Sequence, residues 1–159
     1  MAAAQKDETT AKKERFVDAH LADAQKVANQ LGVPVENILG LSALESGWGG
    51  EAKDARIARE ANNYFSQHYP APGATGWIWN DDHTVKVAVF ASYADSLASF
   101  AQQYGHIVKG KSDPTEFAAA LQDAGKYGIK AKGGKVSSFV SGTAATIRGL
   151  RSIIARRSA

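Results

Sequence analysis

Residues 43–49 read Ala43-Leu44-Glu45-Ser46-Gly47-Trp48-Gly49, with Gly50 after them. Glu45 follows Ile38 by seven residues and Leu41 by four, so on a helix all three share one apolar face. A carboxylate turned toward a core is costly as an anion unless it is paired. One reading is a helix-end glutamate that swings out to water or meets a nearby Lys or Arg. The other follows from the glycines, which let the backbone leave the helix and open into a cleft walled by Trp48. Partial burial against an aromatic ring raises a carboxyl pKa, so the group holds its proton near neutral pH. Such an acid can protonate a leaving glycosidic oxygen.

Working outward, the helix that carries Glu45 begins after Gly32, with Pro34 suited to its first turn. Before it, Phe16, His20, Ala24, Val27, Ala28 and Leu31 recur at spacings of three and four, predicting a helix over residues 11–31. Residues 1–10 read as a flexible segment ahead of a single domain, 11–159. Residues 51–62 fit either a short helix or an irregular loop, and Pro70, Pro72, Gly73 and Gly76 predict an open loop. Trp77 and Trp79 alternate before Asn80-Asp81-Asp82-His83, and Val85, Val87 and Val89 alternate after it, which is a hairpin pattern. Asp95 is placed to cap a helix bearing Leu97, Phe100, Ala101 and Tyr104. Asp113-Pro114-Thr115-Glu116 starts another, with Phe117, Ala120 and Leu121 inside. A glycine- and lysine-rich loop over 125–134 precedes a last helix over 136–156, with Phe139, Val140, Ile147, Leu150 and Ile154 on one side. The expected fold is α+β, dominated by five or six helices with one hairpin.

The chain of 159 residues is long enough for a self-sufficient core, and three Trp, five Tyr and six Phe fit a globular protein. No run of 18 apolar residues suggests a transmembrane span. The absence of cysteine excludes disulfides, thiolate metal sites and a cysteine nucleophile. A net charge of +3 fits either an ordinary solvated surface or an anionic polymer partner. Residues 1–13 are polar and charged and do not read as a standard secretory signal. The four histidines are not spaced for a metal, and neither metal nor cofactor is expected.

The stretch around Glu45 also resembles the glucosaminidase family of bacterial cell-wall hydrolases, which includes the flagellar hydrolase domain and many autolysins. Further elements follow in order. Leu31-Gly32-Val33-Pro34 is similar to the family's lead-in to its catalytic helix, and Asn62-Asn63-Tyr64-Phe65 to its Asn-Asn-aromatic-Phe element. Lys86-Val87 through Phe90 and Tyr93 resembles the return strand of the hairpin, and Leu121-Gln122 with Gly125 and Tyr127 the late Leu-Gln region. The match covers residues 14–155. It implies a lysozyme-like fold with the hairpin beside the catalytic cleft, Glu45 as general acid, and hydrolysis of peptidoglycan after N-acetylglucosamine.

One family feature is missing. A second acid commonly stands about thirteen residues before the Phe of the return strand, and that position here is Trp77. Asp81 and Asp82 are the substitutes at the hairpin tip, where Asp is also plain turn chemistry. Glu51, Asp54 and Glu60 are weaker ones. Alternatively the acetamido group of the substrate acts as nucleophile, and Tyr127 would assist if its hydroxyl reached that group. Otherwise Tyr127 packs at the cleft edge. The Lys126-Tyr127-Gly128 sequence lacks the family's usual Asp-Pro after the tyrosine. Trp48, Tyr64, Trp77, Trp79 and Tyr93 are candidates to stack on sugar rings, with core packing as the alternative. Asn62 and Asn63 suit either acetamido hydrogen bonding or loop fixation.

These readings predict a peptidoglycan hydrolase. Cleavage of the muramidase or lytic-transglycosylase type is the nearest rival, and a wall-binding module without catalysis is another. A nucleic-acid-binding domain finds no motif in its support. The expected delivery is by a specialised secretion system or phage lysis, as an interbacterial toxin with a cognate immunity protein or as a phage lysin.

Overall fold

The structure, a computed structural model, describes residues 2–50 and 55–158. Six α-helices and a two-stranded sheet follow in the order α1 (Ala2–Leu31), α2 (Val35–Ser46), α3 (Arg56–Ala61), β1 (Gly76–Trp79), β2 (Lys86–Val89), α4 (Tyr93–Val108), α5 (Pro114–Asp123) and α6 (Phe139–Ser158), with a 3₁₀ turn, Gly47–Gly49, closing α2. Among the described residues no helix is long and apolar enough to cross a membrane.

The second helix is the axle of the molecule. Val35, Ile38, Leu39, Gly40, Leu41 and Ala43 are all buried, so α2 is apolar around nearly its whole circumference, as an enclosed helix must be. Helices α1 and α6 flank it, and α5 packs on α6. Gly40 lets α6 come close, because a Cβ there would lie 2.5 Å from Ile147 Cγ1 and 3.0 Å from Ile147 Cα. Phe16, Val17, Ala24 and Ala28 of α1, Leu97 and Phe100 of α4, Phe117 and Leu121 of α5 and Leu150 of α6 complete one core.

Several sequence expectations shift. The first helix begins at Ala2 rather than residue 11, through a stretch rich in Ala, Gln, Lys and Glu, all strong helix formers. Pro34 is the N-cap of α2, one position before the expected first turn. Ser92, not Asp95, caps α4. Its hydroxyl accepts from the Asp95 N–H (3.1 Å), and Asp95 sits in the first turn, where its charge favours the dipole. Residues 56–61 form a short helix. The last helix starts at Phe139. Asp113 caps α5 as expected, accepting from Glu116 N–H at 3.0 Å.

The hairpin is antiparallel, pairing Gly76 with Val89, Trp77 with Ala88, Ile78 with Val87 and Trp79 with Lys86. Asn80 organises its tip, where its Oδ1 accepts from the N–H groups of Thr84 (2.8 Å) and Val85 (3.0 Å). On the far side of β2, His68 bridges Val87. Arg56 of α3 ties the hairpin down by donating to Asp81 (2.8 Å) and to the Trp79 carbonyl (2.9 Å).

Candidate active site

Glu45 lies in the last turn of α2. Gly47 ends that helix in the left-handed conformation (φ 60°, ψ 38°), returning its N–H to the Ala43 carbonyl. Trp48 and Gly49 also have positive φ, 60° and 56°. Three such residues in succession reverse the chain sharply, and Trp48, with its Cβ, bears a real conformational cost there. Gly49 has a second reason to lack a side chain, since a Cβ would stand 3.0 Å from the Tyr64 ring.

The reversal leaves Glu45 largely enclosed, facing a cavity of about 220 Å³. Ser46 beside it, Ala58 of α3, the Asn63–His68 loop and Val87 of β2 form the walls. Burial pushes the Glu45 carboxyl from its ordinary 4.5 up to about 7, and hydrogen bonding from Ser66 opposes the rise. The Ser66 hydroxyl also points at the Glu45 backbone carbonyl (3.4 Å). An acid of this kind is half-protonated near neutrality and has room in front of it for a polar group, which is what proton donation to a leaving oxygen requires.

The other expected residues divide. Asn63 reaches the cavity wall, yet its amide is tied to the backbone: it donates to the carbonyls of Gln67 (2.8 Å) and Ala88 (2.9 Å) and accepts from Gln67 N–H (3.0 Å). Asn62 closes α3 at φ 50° and donates to the Phe90 carbonyl (3.0 Å). Tyr127 is buried behind the site, donating to the Phe65 carbonyl at 2.6 Å. Burial, and then the charge of Glu45, raise its pKa well above the ordinary value, so it feels the acid without reaching the cavity wall. Tyr93 is a core residue, its hydroxyl 3.0 Å from Ser42 Oγ and its ring stacked 4.0 Å from His20. Trp48 and Tyr64 line a different and larger groove, about 830 Å³, along α1 with His20 and Arg15. The larger groove is therefore not the one that holds the acid of raised pKa; Glu45 lines the smaller cavity.

Asp82 is exposed at the hairpin tip and accepts from the Thr84 hydroxyl (2.6 Å), which holds its carboxyl below the usual range. Asp81 and Glu60 are both paired with Arg56. Glu51 and Asp54 lie outside the described residues. Trp77 and Trp79 are each 39% exposed, packed edge to face at 5.0 Å, with Lys86 Nζ 4.5 Å from the Trp77 ring centre. Side chains alternate along a strand. Since Val87 faces the cavity, the two tryptophans stand with Lys86 on the opposite face of the hairpin. Sequence reasoning passed over Ser46, Ser66 and His68 in the wall. Their only signal was closeness to Glu45 and to the Asn62-Asn63 element. Among the described residues no group of three His, Asp or Glu side chains converges.

A buried helix ending in a perturbed acid, under a hairpin that roofs its cavity, is the arrangement of a lysozyme-like fold. The chain belongs to the glucosaminidase family, whose profile, described as mannosyl-glycoprotein endo-beta-N-acetylglucosaminidase, matches residues 21–152. Among solved structures, a chain of a type VI secretion system effector–immunity complex from Pseudomonas protegens is 40% identical over 91% of this chain and 94% of that one, with a TM-score of 0.77. A peptidoglycan hydrolase from Sphingomonas sp. A1 is 26% identical over 91% and 93%, with a TM-score of 0.68. The glycoside hydrolase domain of FlgJ from Salmonella typhimurium shares the fold at 24% identity over 92% of each chain, with a TM-score of 0.67. No curated protein matches the chain by sequence.

Proposed function

We propose that this protein hydrolyses the glycan strand of bacterial peptidoglycan as an endo-β-N-acetylglucosaminidase, with Glu45 as the general acid. The observation that carries the reading is Glu45 itself: a carboxyl on the central helix, raised to about 7 by burial and facing a polar cavity. The family supports glycoside hydrolysis, and the Sphingomonas relative is itself a peptidoglycan hydrolase. Asn62 and Asn63 shape the loop that borders the cavity. Trp48 and Tyr64 in the α1 groove, and Trp77 and Trp79 on the hairpin, are surfaces for the strand beyond the bond being cut. The similarity to a chain from an effector–immunity complex supports a toxin delivered by a secretion system into a competing bacterium's wall space, countered in its maker by an immunity protein.

The test is digestion of purified peptidoglycan by the wild-type protein and by Glu45→Gln, with new reducing ends identified by mass spectrometry. N-acetylglucosamine ends from the wild type alone are expected. N-acetylmuramic acid ends would keep Glu45 and change the bond. Binding to insoluble wall without any release of ends would favour a non-catalytic module instead.

A further inference from the structure

An acid alone does not hydrolyse a glycoside, because something must also activate water or stabilise the anomeric carbon. Among the described residues, the side chains that the sequence offered for this are committed elsewhere: Asp81 and Glu60 to Arg56, Asp82 to Thr84, and the Tyr127 hydroxyl to the Phe65 carbonyl. In the cavity wall, among the described residues, one titratable side chain remains besides Glu45, and it is His68.

Sheet geometry sets its direction. His68 bridges Val87, and Val87 pairs with Ile78. Residues directly opposite one another in antiparallel pairs project from the same face. Val87 is 7% exposed and lines the cavity, so the His68 imidazole leaves the sheet on that side, toward Glu45. The strand-like segment that carries it is fixed on both sides, by Ala88 N–H to the Gln67 carbonyl (3.1 Å) and Tyr69 N–H to the Lys86 carbonyl (2.9 Å). The ring itself is uncommitted. Among the described residues it has no hydrogen-bond, ion-pair or ring partner. Ser46 in the same wall is almost wholly buried, and its hydroxyl has no hydrogen-bond partner either.

We propose that His68 is the catalytic base opposite Glu45, which rests on the hydrolase reading above. The neutral imidazole takes a proton from a water molecule as the water oxygen bonds to the anomeric carbon. Glu45 gives its proton to the glycosidic oxygen as the bond from that carbon breaks. The resulting imidazolium and carboxylate then return to their starting states by proton exchange with solvent. With Glu45 and His68 both lining one cavity, attack of this water on the face of the sugar away from the leaving oxygen inverts the anomeric centre. At about 30 Å³ per water, a cavity of about 220 Å³ admits the nucleophile.

The experiment follows cleavage of soluble peptidoglycan fragments by proton NMR, for the wild type, His68→Ala and Glu45→Gln. The wild type is expected to release the α-anomer first from the β-linked strand. His68→Ala should lower kcat about 100-fold or more with little change in KM. Azide, an anionic nucleophile that needs no base, should restore turnover in His68→Ala with an α-glycosyl azide as product, and should not rescue Glu45→Gln. Because His68 is exposed, an unchanged melting temperature is expected and separates a lost base from a lost fold. Release of the β-anomer by the wild type, or a kcat in His68→Ala within about fivefold of wild type, overturns the proposal and leaves Glu45 standing. If the wild type releases no sugar ends at all, the hydrolase reading falls and this proposal with it.

Discussion

Glu45 couples the chemistry of the site to the stability of the fold. Its carboxyl titrates near 4.5 in an unfolded chain and near 7 in the folded one, because burial penalises the anion. The folded state therefore holds this proton more tightly. The stability tied to it is complete below about pH 4.5 and is lost as pH rises through 7. Across that interval, at 1.36 kcal/mol per pH unit, the loss is roughly 3 kcal/mol. Glutamine is neutral throughout, so Glu45→Gln should match the wild type in urea unfolding at about pH 4 and exceed it by roughly 3 kcal/mol at about pH 8. Equal gaps at both pH values would show that the carboxyl does not titrate as described. His20 works in the opposite sense. Burial among aromatic rings, partly offset by Asp23, holds it down to about 4, so its contribution is present above 6.5 and lost as pH falls toward 4. Both proteins share it, and it cancels in the comparison. With Glu45 as the general acid proposed above, activity should fall as pH rises through about 7, while Glu45→Gln should stay inactive at every pH. Glu45 could be found in the sequence because Ile38 and Leu41 define its helix face. His68 could not, because its meaning comes from a bridge to Val87, nineteen residues on, that no local pattern announces.

At the scale of elements, the site stands where it does because α2 is clamped between its neighbours, and Gly40 makes the clamp possible. Gly40→Ala would gain about 1 kcal/mol of helix propensity. It would also drive a methyl against the Ile147 backbone, 3.0 Å from its Cα, which cannot swing aside as a side-chain end can. The expected net result is a loss of roughly 1–3 kcal/mol in thermal denaturation. Gly149→Ala is the control. It is also helical, nothing lies within 4 Å of its added Cβ, and it should stabilise by up to about 1 kcal/mol. If both variants behave alike, close packing of α2 on α6 is not what Gly40 serves. The helices were legible where a face repeats: the pattern of Phe16, Ala24 and Ala28 placed α1, and Asp113-Pro114 opened α5. Their ends were less so. Ser92 and Asp95 are both able to cap, and only the Ser92 hydroxyl meeting the Asp95 N–H decides between them. Residues 56–61 escaped a firm reading because six residues are too few to show a face.

On the scale of the whole molecule, the ordered motifs foretold the family, but not which way the hairpin turns its two faces. Alternation places Trp77 and Trp79 on one face without saying whether that face meets Glu45. The pairing of Ile78 with Val87, and of Val87 with His68, puts the aliphatic row toward the cavity and the tryptophans on the other side. There the two rings, each 39% exposed, and the Lys86 ammonium form a platform suited to sugar faces and to the carboxylates of an anionic polymer. If these rings hold the strand away from the bond being cut, they contribute equally to ground state and transition state. Removing them should then raise KM rather than lower kcat. For Trp77→Ala/Trp79→Ala acting on insoluble peptidoglycan, loss of two exposed stacking contacts at about 0.5–1.5 kcal/mol each predicts a rise in KM of roughly 5- to 150-fold. A parallel loss should appear in wall pull-down with Glu45→Gln as the parent, where no cutting disturbs the binding. A fall in kcat comparable to that of His68→Ala would instead place the rings against the reacting sugar. The hairpin would then have to turn its outer face into the cleft when the glycan binds.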